Sequence, residues 1–298
     1  MSAGTGALRS ASRRRGRTIW LAAQGDASRK GEPTSSDIDA VAFFWETFQH
    51  HPERRDEAIE RLSARALAHD CTQQEVLFVG LAHLWAVAEG GGAPARLHSH
   101  AVLAEHWLAR AAKLDPDDAR IAGWQASASM AIADLLRDEV ARRAAHAKLA
   151  TLAKADPCFH SVPFGIATHG LTRTDPLFTQ ALEAMNAAFD CGMQRVGQDH
   201  PRWPHNVAGF LLALADFRLK AGDVDGAQLA LLVAEARETT AQWPHRELLN
   251  ERLSTLRERA AKFADSNPAN DPPFALQGGV LSCSACHAQS AADDSRGK

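Results

Sequence analysis

Residues 214–238 read LADFRLKAGDVDGAQLALLVAEARE, and this stretch decides the fold class. An amphipathic helix runs to Gly222, where a residue free to take a left-handed backbone closes it. Asp223 then turns the chain into a second, Ala-rich helix. Ala227 and Ala230 on that helix are small enough to let neighbouring helices approach closely. On either side lies an echo: Trp203-Pro204-His205 recurs as Trp243-Pro244-His245, and each triplet opens a helical run, with proline suited to a first turn. Further upstream, Thr72-Gln73-Gln74-Glu75 reads as a capping box ahead of the apolar-periodic Val76, Leu77, Leu81, Leu84 and Trp85. That helix ends at Gly90-Gly91-Gly92, and another runs from near His98 to Leu114. A further pair spans about 117–135 and 138–155, bounded by Asp115-Pro116 and Asp156-Pro157.

Composition agrees with the pattern. The 298 residues are 45% hydrophobic and 23% charged, contain no Tyr, and are dense in Ala, Leu and Arg, which favours helices over sheets. The helix–Gly–Asp–helix text resembles the tetratricopeptide-repeat family, well over 206–240 and fairly over 98–155. The spacings of the echoes are longer than that family's repeat. The resemblance implies an all-α fold of antiparallel helix pairs stacked as a solenoid, each pair needing neighbours to bury its apolar face. Three regions are expected: a basic, disordered N-terminal arm or degraded signal segment over 1–34, a helical-repeat domain over 35–264, and a flexible tail over 265–298. Two long connectors, 156–176 and 190–204, are read as loops carrying Cys and His.

The arm holds Arg9, Arg13, Arg14, Arg15, Arg17, Arg29 and Lys30 against Asp26; since the whole chain carries a formal charge of -3, the remainder is distinctly acidic. An acidic body argues against a nucleic-acid-binding surface. No apolar run approaches the roughly 20 residues of a transmembrane segment. The apolar stretch Thr18–Ala23 is shorter than the roughly 7–15 residues of a secretory h-region, so the arm is an atypical export signal. A misplaced start codon accounts for it equally well.

Chemistry concentrates at the other end. Residues 283–287 read Cys-Ser-Ala-Cys-His. With five Cys and 14 His in the chain, chance supplies such a string on the order of 0.004 times. Two thiols three positions apart can reach the two vinyl groups on one edge of a haem, and the adjacent imidazole can ligate its iron. The segment resembles the attachment site of c-type cytochromes, which implies one covalent haem c with Cys283 and Cys286 as thioether tethers and His287 as axial ligand. Too little sequence follows His287 to wrap a haem, so the pocket has to come from the preceding chain or from a partner. Met193, His160, His169 and His200, all in the two connectors, are the candidates for a distal ligand. Met130 and Met185 read as core fillers, and His98, His100, His50 and His51 as surface helix positions.

Other chemistries stay open for the same motif. Zinc needs four ligands where Cys283, Cys286 and His287 supply three, and a redox dithiol would need a βαβ context that is missing. Haem attachment takes place outside the cytoplasm in the resembled family, so haem goes with a periplasmic or otherwise exported protein, and its absence with a cytoplasmic one. Export would also allow a Cys158–Cys191 disulfide. The chain is expected to be an electron-transfer accessory that is not itself an enzyme, docking to a redox or other protein partner through its helical body. The alternatives are a non-redox scaffold whose motif binds zinc or nothing, and a haem peroxidase or sensor.

Overall fold

The computed structural model describes residues 39–89, 92–195, 205–265 and 267–275, with the side chains of 191–195 left aside. Among them are twelve α-helices, two short 3-10 turns and no strand. The helices are α1 (Ala40–His50), α2 (Arg55–Leu67), α3 (Gln73–Ala88), α4 (Pro94–Leu114), α5 (Ala119–Leu136) and α6 (Glu139–Ala155). They continue as α7 (Pro157–Thr168), α8 (Pro176–Arg195), α9 (Asn206–Ala221), α10 (Val224–Glu235), α11 (Arg246–Ser254) and α12 (Leu256–Phe263). None is long and apolar enough to cross a membrane.

Local chemistry explains most of the boundaries. Thr72 Oγ1 accepts from the Glu75 N–H while the Glu75 carboxylate accepts from the Thr72 N–H, so the capping box forms in full at the head of α3. Gly222 ends α9 at φ 93°, and the Asp223 N–H then reaches back to the Arg218 carbonyl at 2.9 Å. The Asp223 carboxylate in turn caps α10 through the Gly226 N–H at 2.9 Å. Arg137 closes α5 in the same left-handed region at φ 55° without glycine's freedom. Asp156 ends α6, and Pro157 starts α7 at once, because a first-turn proline gives up no helical hydrogen bond.

Two expectations need correction. The stretch 156–176 is not a loop: most of it is α7, with Pro163 inside the helix. Removing one N–H is tolerated there because Phe164 and His160, both within 1% of full burial, hold the helix against its neighbours. The second connector also begins as helix, since α8 runs to Arg195. Of the two Trp-Pro-His triplets, Trp203 and Pro204 of the first lie outside the described residues, and the second does not place its proline in a first turn; α11 starts after His245, at Arg246. Instead His205 stacks on Trp243 with ring centroids 6.1 Å apart, and Trp243 meets His245 edge-on at 6.0 Å.

Packing runs between successive helices: α3 on α4, α4 on α5, α5 on α6, α6 on α7, α7 on α8, and α9 on α10. One core cluster gathers α1 to α5 around Phe44, Leu62, Val79, Trp85 and Trp107. A larger one gathers α5 to α12 around Phe164, Phe178, Met185, Leu211, Phe217 and Phe263. Met130 and Met185 are buried core residues, as expected. Ala227 and Ala230 are buried on α10, where their small size serves the contact with α9.

The surface reading of His100 is also corrected. Its Nδ1 lies 2.8 Å from Nδ1 of the buried His83, so one imidazole donates to the other across the α3–α4 contact. Burial, reinforced by the His100 charge, pushes the His83 pKa from 6.5 down to about 4. His100 is lowered as well, by burial first and then by Arg96 and Arg55, against the opposing pull of Asp56.

Two predictions follow from these features. Gly222→Ala forces a side chain into left-handed backbone and lowers unfolding free energy by about 1 kcal/mol, whereas Arg137→Gly raises it by a similar amount. Urea titrations of the two variants should move in opposite directions. A buried imidazole with a depressed pKa stabilises fully above its unfolded value of 6.5, and that contribution is lost as pH falls from 6.5 towards 4. Melting temperature should therefore drop over that window, and His83→Phe should flatten the slope; an equal slope in both proteins refutes the assignment.

Candidate functional site: an anchored tail root

Helix α9 is Ala- and Leu-rich, yet it buries two charges one turn apart, Asp216 and Lys220, at 1% and 2% exposure. Four-residue spacing puts both on one stripe. Each bonds to the segment Asp271-Pro272-Pro273-Phe274-Ala275, which sequence reading assigns to a flexible tail. Up to Ala275 that segment is packed into the body instead: Phe274 and Ala275 are 3% and 1% exposed.

Asp216 is the centre. Its Oδ1 accepts from Arg252 Nε of α11 at 3.1 Å and from an Arg259 terminal nitrogen of α12 at 2.9 Å, and its Oδ2 accepts from the Ala275 N–H at 2.7 Å. The Pro273 carbonyl accepts from the same two arginines at 2.9 and 2.8 Å. Burial pushes the Asp216 carboxyl above its usual range, against the pull of the two guanidiniums and the Ala275 N–H. Burial also lowers Arg259. Pro272 is buried and brings no backbone N–H that would need a partner there, while Pro273 beside it is exposed and likewise lacks one.

A second set of contacts sits beside the first. Lys220 Nζ pairs with Asp271 and donates to the His169 carbonyl at 2.8 Å. Phe274 meets Phe217, Phe263 and His169 with ring centroids 5.3, 5.5 and 5.6 Å apart. Lys220 Nζ lies 5.4 Å from the centroids of both Phe178 and Phe274. The chain is thereby fixed at Ala275, eight residues before Cys283.

The sequence-predicted site residues divide sharply. Cys283, Cys286 and His287 lie outside the described residues, as does His200, and the Met193 side chain is likewise not described. His160 is not a loop ligand: it sits inside α7 at 1% exposure, against α5. A Cβ on Gly123 would fall 2.3 Å from its Nδ1, an approach that only glycine permits. Among the described residues its Nδ1 has no hydrogen-bond partner, and it faces α5, which removes it as a ligand for anything docked outside.

His169 is different. It caps the C-terminal end of α7, half-buried, at the root of the tail. Its Nδ1 lies 2.7 Å from the Ile166 carbonyl, which can only accept, so Nδ1 carries the proton and Nε2 the lone pair. Burial first, and the Lys220 charge behind it, lower its pKa and favour the neutral ring. Cys158 is disulfide-bonded, while the side chain of Cys191, its expected partner, lies outside the described residues. Cys71 is a free thiol.

The anchor was missed in sequence because its members are far apart in the chain. The available signal was Asp216 and Lys220 on an otherwise apolar helix, with Arg252 and Arg259 seven residues apart downstream. Asp216→Asn keeps the shape but strands two buried guanidiniums, an effect of about 3–5 kcal/mol. Chymotryptic cleavage after Phe274 should then become fast in the variant; continued protection at an unchanged melting temperature refutes the anchor.

The donor set Cys283, Cys286 and His287 fits a covalently tethered haem by its chemistry, and the body adds an imidazole with an open lone pair near the tail root. No family model, no curated protein and no solved structure matches this chain.

Proposed function

We propose that this chain is an electron-transfer accessory carrying one haem c on its C-terminal tail, with Cys283 and Cys286 as the thioether tethers and His287 as an axial ligand. The observation that carries the reading is the Cys-Ser-Ala-Cys-His string placed eight residues beyond a root held by buried charges. A tail of that length reaches at most about 28 Å from Ala275 to Cys283. The cofactor would therefore stay beside the body that presents it.

When bound, the haem supplies a one-electron couple, taking one electron from a reduced partner and yielding it to an oxidised one. The protein's own residues do the rest. Asp216, Arg252 and Arg259 hold the root at Ala275, and Lys220 and Asp271 pair beside it. The body is read as antiparallel helix pairs stacked in the tetratricopeptide manner, offering a docking surface to a redox partner. Short links between successive packed helices support that reading. The acidic charge balance favours a protein partner over nucleic acid. The disulfide at Cys158 supports an oxidising, exported location, where haem attachment also takes place in the resembled family.

Expression with haem-attachment machinery tests the proposal directly. The purified protein should keep its haem through acid-acetone extraction and show the corresponding mass increase, and Cys283→Ala with Cys286→Ala should abolish both. Colourless protein of unmodified mass overturns the haem reading, and stoichiometric zinc in that sample would favour the scaffold instead.

A further inference from the structure

Residues 271–275 are held the way a protein holds a bound peptide. From Asp271 to Phe274 the chain is neither helix nor strand. The Pro273 carbonyl accepts from Arg252 of α11 at 2.9 Å and from Arg259 of α12 at 2.8 Å, and the Ala275 N–H donates to Asp216 of α9 at 2.7 Å. Asp271 pairs with Lys220, and Phe274 sits against Phe217 and Phe263. A carboxylate, a main-chain carbonyl, a main-chain N–H and one aromatic ring are thus each read by a group on a helix, which is the logic of peptide recognition. We propose that the groove lined by α9, α11 and α12 is a peptide-binding site, and that residues 271–275 of a second copy of this chain occupy it in exchange for the chain's own.

Three observations carry this inference. The first is that the groove requires an occupant. Among the described residues Asp271 is the only carboxylate paired with the buried Lys220. Without the segment Lys220 keeps only the His169 carbonyl, and Asp216 Oδ2 has no donor. The second is the identity of the occupant. The one sequence shown to satisfy every feature of the groove is Asp-Pro-Pro-Phe-Ala, and each copy of the chain carries it once. Reciprocal exchange repeats all of these contacts in both grooves and closes a two-fold dimer. The third is the approach to the segment. Residues 267–270 are exposed, and their hydrogen bonds stay within 265–271. Asn270 donates from its backbone to the Asn267 carbonyl at 2.9 Å and from its side chain to Asp265 at 2.7 Å, and the Ala269 N–H reaches the Asn267 side chain at 3.2 Å. Moving the segment to another copy therefore breaks no hydrogen bond between this turn and the helices.

Because the contacts are the same in both arrangements, the balance between them is set by the tether. A short link presents the chain's own segment at an effective concentration on the order of millimolar. Exchange is therefore governed by how closely two copies are gathered, and dilute protein keeps its groove filled from within.

Charge reversal in the full-length chain tests this, with readouts that do not involve a haem. Asp271→Lys sets an ammonium against Lys220 and expels the chain's own segment while leaving the groove unchanged. A labelled Asp-Pro-Pro-Phe-Ala amide should then bind this variant, by fluorescence anisotropy, more than about tenfold tighter than wild type, whose groove is already filled. A Lys-Pro-Pro-Phe-Ala amide should not bind it, and Lys220→Asp should reverse that preference. Each variant alone should be monomeric by light scattering. Their equimolar mixture should form a heterodimer, since only crossed pairing matches the charges. Wild type concentrated to about millimolar should dimerise, and Asp271→Lys should not, which keeps the test decisive even where Lys220→Asp does not fold. Folded Asp271→Lys that binds neither peptide overturns the inference. So does loss of its near-ultraviolet circular dichroism, which would make the segment an inseparable part of the core. Peptide binding without either dimer overturns the second copy as occupant and assigns the groove to another protein.

Discussion

The Asp216 carboxylate is the constraint around which the C-terminal half of this protein is organised. A charge in the middle of an apolar helix is expensive to desolvate, and it persists only when opposite charge and hydrogen bonds surround it. Here those come from three separate places: Arg252 on α11, Arg259 on α12, and the backbone of Ala275. One side chain thus ties two helices and the root of the tail to α9. The helices are held in pairs by apolar packing, but the relation of the tail to them is set by this polar knot and by the Lys220–Asp271 pair beside it.

What was legible in the sequence was local. The capping box at Thr72 and Glu75, the Gly222–Asp223 turn and the helix boundaries near Leu114 and Ala155 each depend on residues within a few positions of one another. Single-sequence reasoning handles such signals because their physics is contained in the window being read. The stretch 156–176 reads as a connector in sequence, where Asp156-Pro157 marks a helix stop. Pro157 sits where proline is harmless, and α7 survives Pro163 through burial against helices distant in sequence.

The candidate site divides along the same line. Cys283, Cys286 and His287 announce their chemistry by adjacency alone. The anchor does not, since Asp216 meets Arg252 across 36 residues and Ala275 across 59. His160 and His169 looked alike as connector histidines. Only the fold distinguishes one pressed against Gly123 from one with an open nitrogen beside Phe274.

The pair Pro272-Pro273, described above for the donors it omits, has a consequence for the order of assembly. During synthesis, α9, α11 and α12 all precede residue 271, so Asp216 and its two arginines exist before their last partner does. Until the proline pair and Ala275 emerge, the knot lacks the carbonyl that both arginines share and the N–H that fills Oδ2. The C-terminal core is thus completed by residues that emerge only after both helices they tie together, and that end eight positions before Cys283.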